Sequence, residues 1–339
     1  MTAVYSGIDL HSNNSVVVVK DAEGKVLYRR RLENDLQRIE QALALYRERL
    51  RGVAVESTFN WYWLVDGLME AGYPVQLVNT TASQQYSGLK HTDDESDAEW
   101  LAEMLRLGIL PTGYIYPKAE RAVRDLLRKR AHLVRQRTAN ILSIQNLVQR
   151  NTGGRLKSDV IKTLTSEQAA QRFTNADVAL AIATTVRVRQ CLDTEIAALE
   201  KVVLGRVKVR PEFVKLTSIP GVGDILGLTI MLEAGAIGRF PSVGDFASYC
   251  RGVGSTRLSN FKKKGTGNVK NGNRYLGWAF VEAAHFAIRY APPIHRWHAR
   301  KLARTNAIVA IKAVAHKLAR AAYYILRDQV VFDVSKAFA

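Results

Sequence analysis

Cysteine is nearly missing: two among 339 residues, Cys191 and Cys250. Their separation offers neither a disulfide framework nor the paired spacing of a zinc or redox site, so both read as small apolar side chains in a reducing compartment. Long apolar runs are missing too, none approaching the roughly 18 uninterrupted residues that a membrane span needs. The opening MTAVYSGIDLHSNN has no basic, apolar or small-residue cleavage segment of a secretory leader. Together these absences predict a cytoplasmic protein with no membrane partner. Of the seven histidines, His295 and His298 stand three apart, but no cysteine or acid at a suitable spacing completes a ligand set.

Acid is scarce over most of the chain. Residues 111–339 carry 38 Lys or Arg against 15 acids, whereas residues 1–110 carry 11 against 16. The net charge of +18 therefore belongs to the second part alone. A basic field of that size attracts polyanions, and nucleic acid is the partner it predicts. The length allows two or three domains with well-buried cores.

The first hundred residues alternate in a way the rest do not. Val4 to Asp9, Ser15 to Lys20 and Lys25 to Leu32 read as three consecutive strands, the second holding Val16, Val17, Val18 and Val19. A helix from Asp35 to Arg51 follows, then a strand Gly52 to Glu56, a helix Trp61 to Ala71, a strand Pro74 to Asn79 and a helix from near Asp93. The order is βββαβαβα. Trp61, Tyr62 and Trp63 read as core, with base stacking as the lesser use.

From residue 118 to 151 there is neither Gly nor Pro, and Val123, Leu126, Leu127, Leu133, Val134, Ile141, Ile144 and Val148 recur at helical spacing. A helix of about 50 Å is predicted, with Arg121, Arg124, Arg128, Lys129, Arg135 and Arg137 on its other face. Residues 175–203 would return along it as an antiparallel coiled-coil hairpin, serving as spacer, oligomer contact or nucleic-acid contact. The last third reads as helical and basic: residues 255–320 hold 14 Lys or Arg and one acid, Glu282. The turn Pro220, Gly221, Val222, Gly223 either joins two helices or offers amides to a phosphate.

Four acids stand where acids are expensive. Thr92 and Glu95 make a capping box, yet at 100° per residue Asp94 and Asp97 share the side of Leu101, Met104 and Leu105, while Glu95, Glu99 and Glu103 form the opposite, polar side. Two like charges about 4 Å apart at an effective dielectric near 20 repel by about 4 kcal/mol. Bound cations would relieve that repulsion. Asp9 lies in the first strand and Glu56 ends the fourth; in a βββαβαβα sheet these strands are central neighbours under the last helix. Asp9, Glu56, Asp94 and Asp97 then converge as hard oxygen ligands for two Mg²⁺ ions, a phosphodiester-cleaving centre.

GID at Gly7 to Asp9, VEST at Val55 to Thr58 and DESDAEWLA at Asp94 to Ala102 resemble the RNase H-like, RuvC-type domain of the DEDD transposases, the bridge-RNA-guided insertion-sequence recombinases related to Piv-type DNA invertases. The likeness continues through RAVRDLLRKRAHLVRQRTANILSIQN, similar to that family's Arg-rich coiled-coil segment, and LTSIPGVG at Leu216 to Gly223, which opens its C-terminal domain. GVGSTRLSNFKKKGTGNVKNGNRYLGWA then brings Lys270, Gly272, Asn273 and Arg274 into register with the family's Lys-x-Gly-Asn-Arg stretch.

The resemblance implies an RNase H-like catalytic domain over 1–112, a coiled-coil segment over 113–205 for RNA binding or oligomerisation, and a mainly helical transposase domain over 206–339. It places the family's nucleophilic serine on Ser259, with Ser255 as the substitute; Asn260 replaces the usual glycine, and GVGS replaces GLxP. Arg257, Lys262, Lys263, Lys264, Lys270 and Arg274 would neutralise phosphate around it. It further implies donor and target DNA, an element-encoded noncoding RNA that selects both, and a dimer or tetramer with a composite site. The rival readings are a RuvC-like nuclease acting on branched DNA without a serine, and an inactive nucleic-acid-binding protein.

Overall fold

A computed structural model of the chain describes residues 2–83, 94–207, 210–253, 256–266 and 271–338, and of residues 94, 95, 256–259, 263 and 266 the backbone only. The chain divides into two compact units, Met1–Lys118 and Ala119–Ala339. No helix among the described residues is long and apolar enough to cross a membrane.

In the first unit β1 (Val4–Leu10), β2 (Asn14–Asp21) and β3 (Val26–Glu33) form an antiparallel meander, followed by α1 (Leu36–Ala44), β4 (Leu50–Val55), α2 (Tyr62–Glu70), β5 (Val75–Leu77), α3 (Thr80–Ser83) and α4 (Asp94–Arg106). This is the order anticipated from the sequence, with the one-turn α3 added. The sheet runs β3-β2-β1-β4-β5, and β4 lies parallel to both β1 and β5. Helices cover both faces, which is why β2 is a continuous valine run rather than an alternating one. Val17 and Val19 pack with Ile39, Leu43, Leu64 and Leu68 of α1 and α2; Val16 and Val18 pack with Ala98 of α4. Trp61 belongs to the first of these cores.

The first helix is shorter than its predicted span. Asp35 caps it, its side chain accepting from the amides of Gln37 and Arg38, and it ends at Ala44. Leu43 is its last buried side chain, Leu45 being exposed, and the chain tightens into a 3₁₀ turn at Arg47–Arg49 before β4.

The second unit begins within the long α5 (Lys118–Thr152) and continues through α6 (Ser158–Thr163), α7 (Ser166–Ala170), α8 (Ala176–Val207), α9 (Pro211–Leu216), α10 (Asp224–Ala234) and α11 (Val243–Tyr249). A hairpin of β6 (Thr256–Ser259) and β7 (Lys262–Thr266) follows, then α12 (Arg274–Tyr290), α13 (Pro292–Leu302), α14 (Ala307–Asp328) and α15 (Val334–Phe338). Arg130 pairs with Glu200 and Arg137 with Asp193, so residue numbers rise along α5 as they fall along α8 and the two helices are antiparallel. Ile144, Val148, Ile161, Leu164, Ile182 and Val186 close the far end.

The α10–α14 bundle is built around Phe246, Phe280, Leu228 and Leu318. Its tight entry depends on Gly221, at φ 87°, where a Cβ would stand 2.4 Å from the Ala283 carbonyl of α12. Among the described residues, the hairpin is the element of this third that the mainly helical reading did not anticipate. Its strands are four and five residues long, and a lysine run hides their alternation.

Candidate active site

The register of two parallel strands decides where the acids stand. Gly7 lies opposite Ala54 and Ile8 opposite Val55, and the Glu56 amide donates to the Ile8 carbonyl at 3.1 Å. Glu56 is therefore the neighbour of Asp9 at the C-terminal ends of β4 and β1. Alternation puts Gly7 and Asp9 on the face under α4, together with Gly52, Ala54 and Glu56. Gly7 has a steric reason to be glycine: a Cβ there would lie 2.1 Å from the Ala98 carbonyl and 2.6 Å from the Ala102 amide. Its absence lets α4 settle directly on β1.

Asp97 precedes Ala98 and is half-buried, on the side of the buried Leu101 and Met104, and Asp94 starts the helix one turn earlier. Asp9 itself is only 3% exposed, with Oδ2 3.1 Å from His11 Nε2. Among the described residues no three His, Cys, Asp or Glu side chains gather closely enough to hold a metal ion. The Asp94 carboxylate lies outside that set.

Of the acids predicted for the polar side of α4, Glu99 and Glu103 are engaged in ion pairs, and the Glu95 side chain lies outside the described residues. Lys20 of β2 lies 3.3 Å from Glu99 and 2.9 Å from Glu103, Arg29 pairs with Glu99, and Arg106 with Glu103. The Arg106 hydrogen bond, helped by Lys20 against a smaller cost of burial, holds the Glu103 carboxyl down at about 2.

His11, beside Asp9, and the two residues that hold its carbonyl, Asn34 and Asn60, escaped the sequence reading. The amides of Asn34 and Asn60 both donate to the His11 carbonyl at 3.0 Å. Ser15 Oγ donates to Asn34 Oδ1 and Thr58 Oγ1 to Asn60 Oδ1, at 2.7 and 2.9 Å. This network ties the loop after Asp9 to the loop after Glu56. Its partners lie 23 and 49 residues away along the chain, and no local pattern announces them.

Ser259 ends β6 opposite Lys262, so it sits at the mouth of a two-residue turn rather than in an irregular loop. Asn260 and Phe261 fill that turn at φ 50° and 59°, the sign that a type I′ hairpin requires at both positions. Glycine meets it freely and Asn tolerates it, which rationalises Asn260 where glycine was expected. For Phe261 the left-handed backbone costs about 1–2 kcal/mol. Ser255 and Lys270 lie outside the described residues, as do the side chains of Ser259, Arg257 and Lys263.

A DEDD-type model of the IS110 elements, described as Transposase, matches residues 6–151, and a second, described as Transposase IS116/IS110/IS902 family, matches residues 214–299. The chain belongs to this transposase family. It is 24% identical over 292 residues to a probable family 20 transposase of Pseudomonas aeruginosa, covering 83% of this chain and 85% of that one. It is 25% identical over 299 residues to the transposase for insertion sequence element IS1111A of Coxiella burnetii, covering 84% and 78%. A DEDD transposase domain implies an RNase H-like fold, with which the mixed five-stranded sheet agrees, and DNA as partner.

The transposase does not spread its arginines over one open face as the helical wheel of α5 suggests. Arg121 and Arg124 are buried, 4% and 8% exposed, which corrects their placement on an open phosphate-binding face. Arg128 Nε and its neighbouring guanidinium nitrogen donate to Glu233 at 2.6 and 2.7 Å, and the guanidinium lies 4.8 Å from the Tyr275 ring. Burial opposes the Arg128 charge, but the Glu233 hydrogen bonds and the negative charge of Glu233, aided by Tyr275 and Asp125, together outweigh it and raise its pKa. Glu233, 3% exposed, also accepts from Asn273 Nδ2 at 2.7 Å, and Asn273 caps α12 by accepting from the amides of Tyr275 and Leu276. Sequence reasoning missed Glu233, although a lone internal acid near the end of the otherwise apolar α10 is a signal. Lys129, Arg135, Lys262, Lys264 and Arg274 are exposed.

Proposed function

We propose that this transposase cuts and rejoins DNA through two sets of groups: the carboxylates Asp9, Glu56, Asp94 and Asp97, and the hydroxyl of Ser259. The observation that carries the reading is the β1–β4 register, which sets Asp9 beside Glu56 at the strand ends under a helix that Gly7 admits. An all-oxygen donor set suits Mg²⁺ rather than a softer metal. Bound there, Mg²⁺ would neutralise charge on the phosphodiester under attack. Asp9, buried beside His11, would be held in one orientation by the Asn34 and Asn60 network.

Ser259 would attack phosphorus: the Oγ–P bond forms as the P–O bond to the leaving nucleotide breaks, the hydroxyl proton leaves to a base, and the departing oxygen takes one up. The resulting ester keeps the strand end ready for rejoining. Arg257, Lys262, Lys263, Lys264, Lys270 and Arg274 would neutralise phosphates near it, with Lys129 and Arg135 of α5 on a second nucleic-acid surface. The resemblance to bridge-RNA-guided recombinases supports an element-encoded noncoding RNA as guide, the α5–α8 pair as a coiled-coil arm for RNA binding or assembly, and a dimer or tetramer with a shared site.

The test is a denaturing gel of the native chain, Ser259→Ala and Asp9→Asn, incubated with Mg²⁺, the flanking noncoding RNA and labelled donor and target DNA. The expected result is a protease-sensitive protein–DNA adduct in the native chain only. Free cut ends without an adduct, unchanged in Ser259→Ala and lost in Asp9→Asn, would reduce the site to a metal-dependent nuclease. Cutting that survives Asp9→Asn would remove the carboxylates from the reaction.

A further inference from the structure

Phe261 is the anomaly of the second unit. Its side chain is 99% exposed, the most exposed of the large apolar side chains described. It occupies the tip of the β6–β7 hairpin at φ 59°, where Gly or Asn would relieve the backbone. Neither core packing nor turn geometry accounts for a phenyl group at that point.

Its surroundings say what would cover it. Residues 251–273 contain Arg251, Arg257, Lys262, Lys263, Lys264 and Lys270 and no acid. Lys262 and Lys264, one and three residues further along the chain, are exposed. The strands shift register between Arg257 and Leu258, where the β7 side carries one extra residue, and such a bulge increases the local twist. A narrow two-stranded tip with an apolar plate at its end and cations on its flanks complements a DNA groove: the ring meets base faces, the ammonium groups meet phosphates.

We propose that Phe261 is a wedge that inserts between base pairs of duplex DNA and unstacks one step beside Ser259. The proposal rests on the reading that this hairpin meets DNA, and not on Ser259 being the nucleophile. The inserted ring would kink the duplex, and a kinked, unstacked step is easier to open for strand exchange. The strained backbone then has a use: the left-handed turn projects the ring off the end of the hairpin.

The experiment uses the full chain in EDTA, so that no metal-dependent cutting intervenes, with a 30-base-pair alternating A·T duplex, whose TA steps kink readily. Permanganate, which oxidises thymines whose faces are uncovered, reports unstacking, and a filter-binding titration reports affinity. The native chain is expected to make thymines reactive on binding. Phe261→Gly, which also relieves the turn, should abolish that reactivity while keeping affinity within about fivefold, since the phosphate contacts remain. Its melting temperature should be no lower than that of the native chain. Phe261→Leu, another apolar wedge, should retain most of the reactivity.

Binding by the native chain without reactive thymines, or equal reactivity in Phe261→Gly, overturns the wedge and leaves the catalytic proposal standing. Loss of self-association in Phe261→Gly, with unstacking unaltered, overturns it by assigning the ring to a second copy of the chain. No binding of the duplex at all would overturn the wedge together with DNA contact by this hairpin.

Discussion

Along α5 three arginines meet carboxylates, Arg128 on Glu233, Arg130 on Glu200 and Arg137 on Asp193, whereas around the β6–β7 hairpin Lys262 and Lys264 stand exposed in a stretch of sequence without a single acid. Both regions count equally toward the positive charge of the chain. They differ in what the charge is for. A guanidinium fork fits a carboxylate bidentately and tolerates desolvation, so it can join helices; an exposed ammonium remains a hydrated point charge able to meet phosphate. Net charge shows that a polyanion is attracted, and only pairing tells which cations remain to receive it.

Several substitutions would break or sharpen this contrast. The largest effect is expected at Glu233. Glu233→Ala would strand the Arg128 guanidinium and the Asn273 amide, costing about 3–5 kcal/mol in denaturant unfolding; a loss below about 1 kcal/mol would mean that the Arg128 pairing is not structural. Next comes the hairpin. Lys262→Ala with Lys264→Ala should change stability by no more than about 0.5 kcal/mol, yet lower the salt dependence of DNA binding by roughly 0.9 for each phosphate no longer neutralised. An unaltered salt slope would deny the hairpin its role at the phosphates.

Arg137→Ala should do the reverse, costing about 0.5–1 kcal/mol as a partly exposed pair and leaving the salt slope unchanged. The smallest effect concerns pH. Because Glu103 is held below its ordinary value, its contribution to the first unit is present above about 4.5 and fades as pH falls toward about 2. Glu103→Gln should therefore flatten acid unfolding in that window, and an unchanged profile would show that Lys20 and Arg106 stabilise nothing through it.

The sheet was legible because its signals are local: a valine run and a switch from strand to helix periodicity. The four acids drew notice because acids in strand ends and on an apolar helix side stand out against their neighbours; of the four, the structure sets Asp9 beside Glu56. His11, Asn34 and Asn60 were not legible, since ordinary loop residues acquire a role only through bonds across 23 and 49 positions. Arg121 and Arg124 misled for a related reason. A helical wheel groups residues by angle and cannot say which sector another element will cover. The hairpin hid because Lys262, Lys263 and Lys264 erase the alternation that marks a strand, although Asn260 already carried the turn preference that its φ of 50° explains.

By itself the sequence determined the order of the first unit's strands and helices, the reach of α5 and the segregation of charge, all consequences of periodicity and of residue type. Tertiary structure decided the rest. It set Asp9 beside Glu56 through strand register, admitted α4 through the missing Cβ of Gly7, withdrew Arg121 and Arg124 from the open surface, tied Arg128 to Glu233, and left Phe261 bare. Register, close approach and pairing each depend on two distant segments meeting, and that meeting is a property of the packed chain rather than of any window along it.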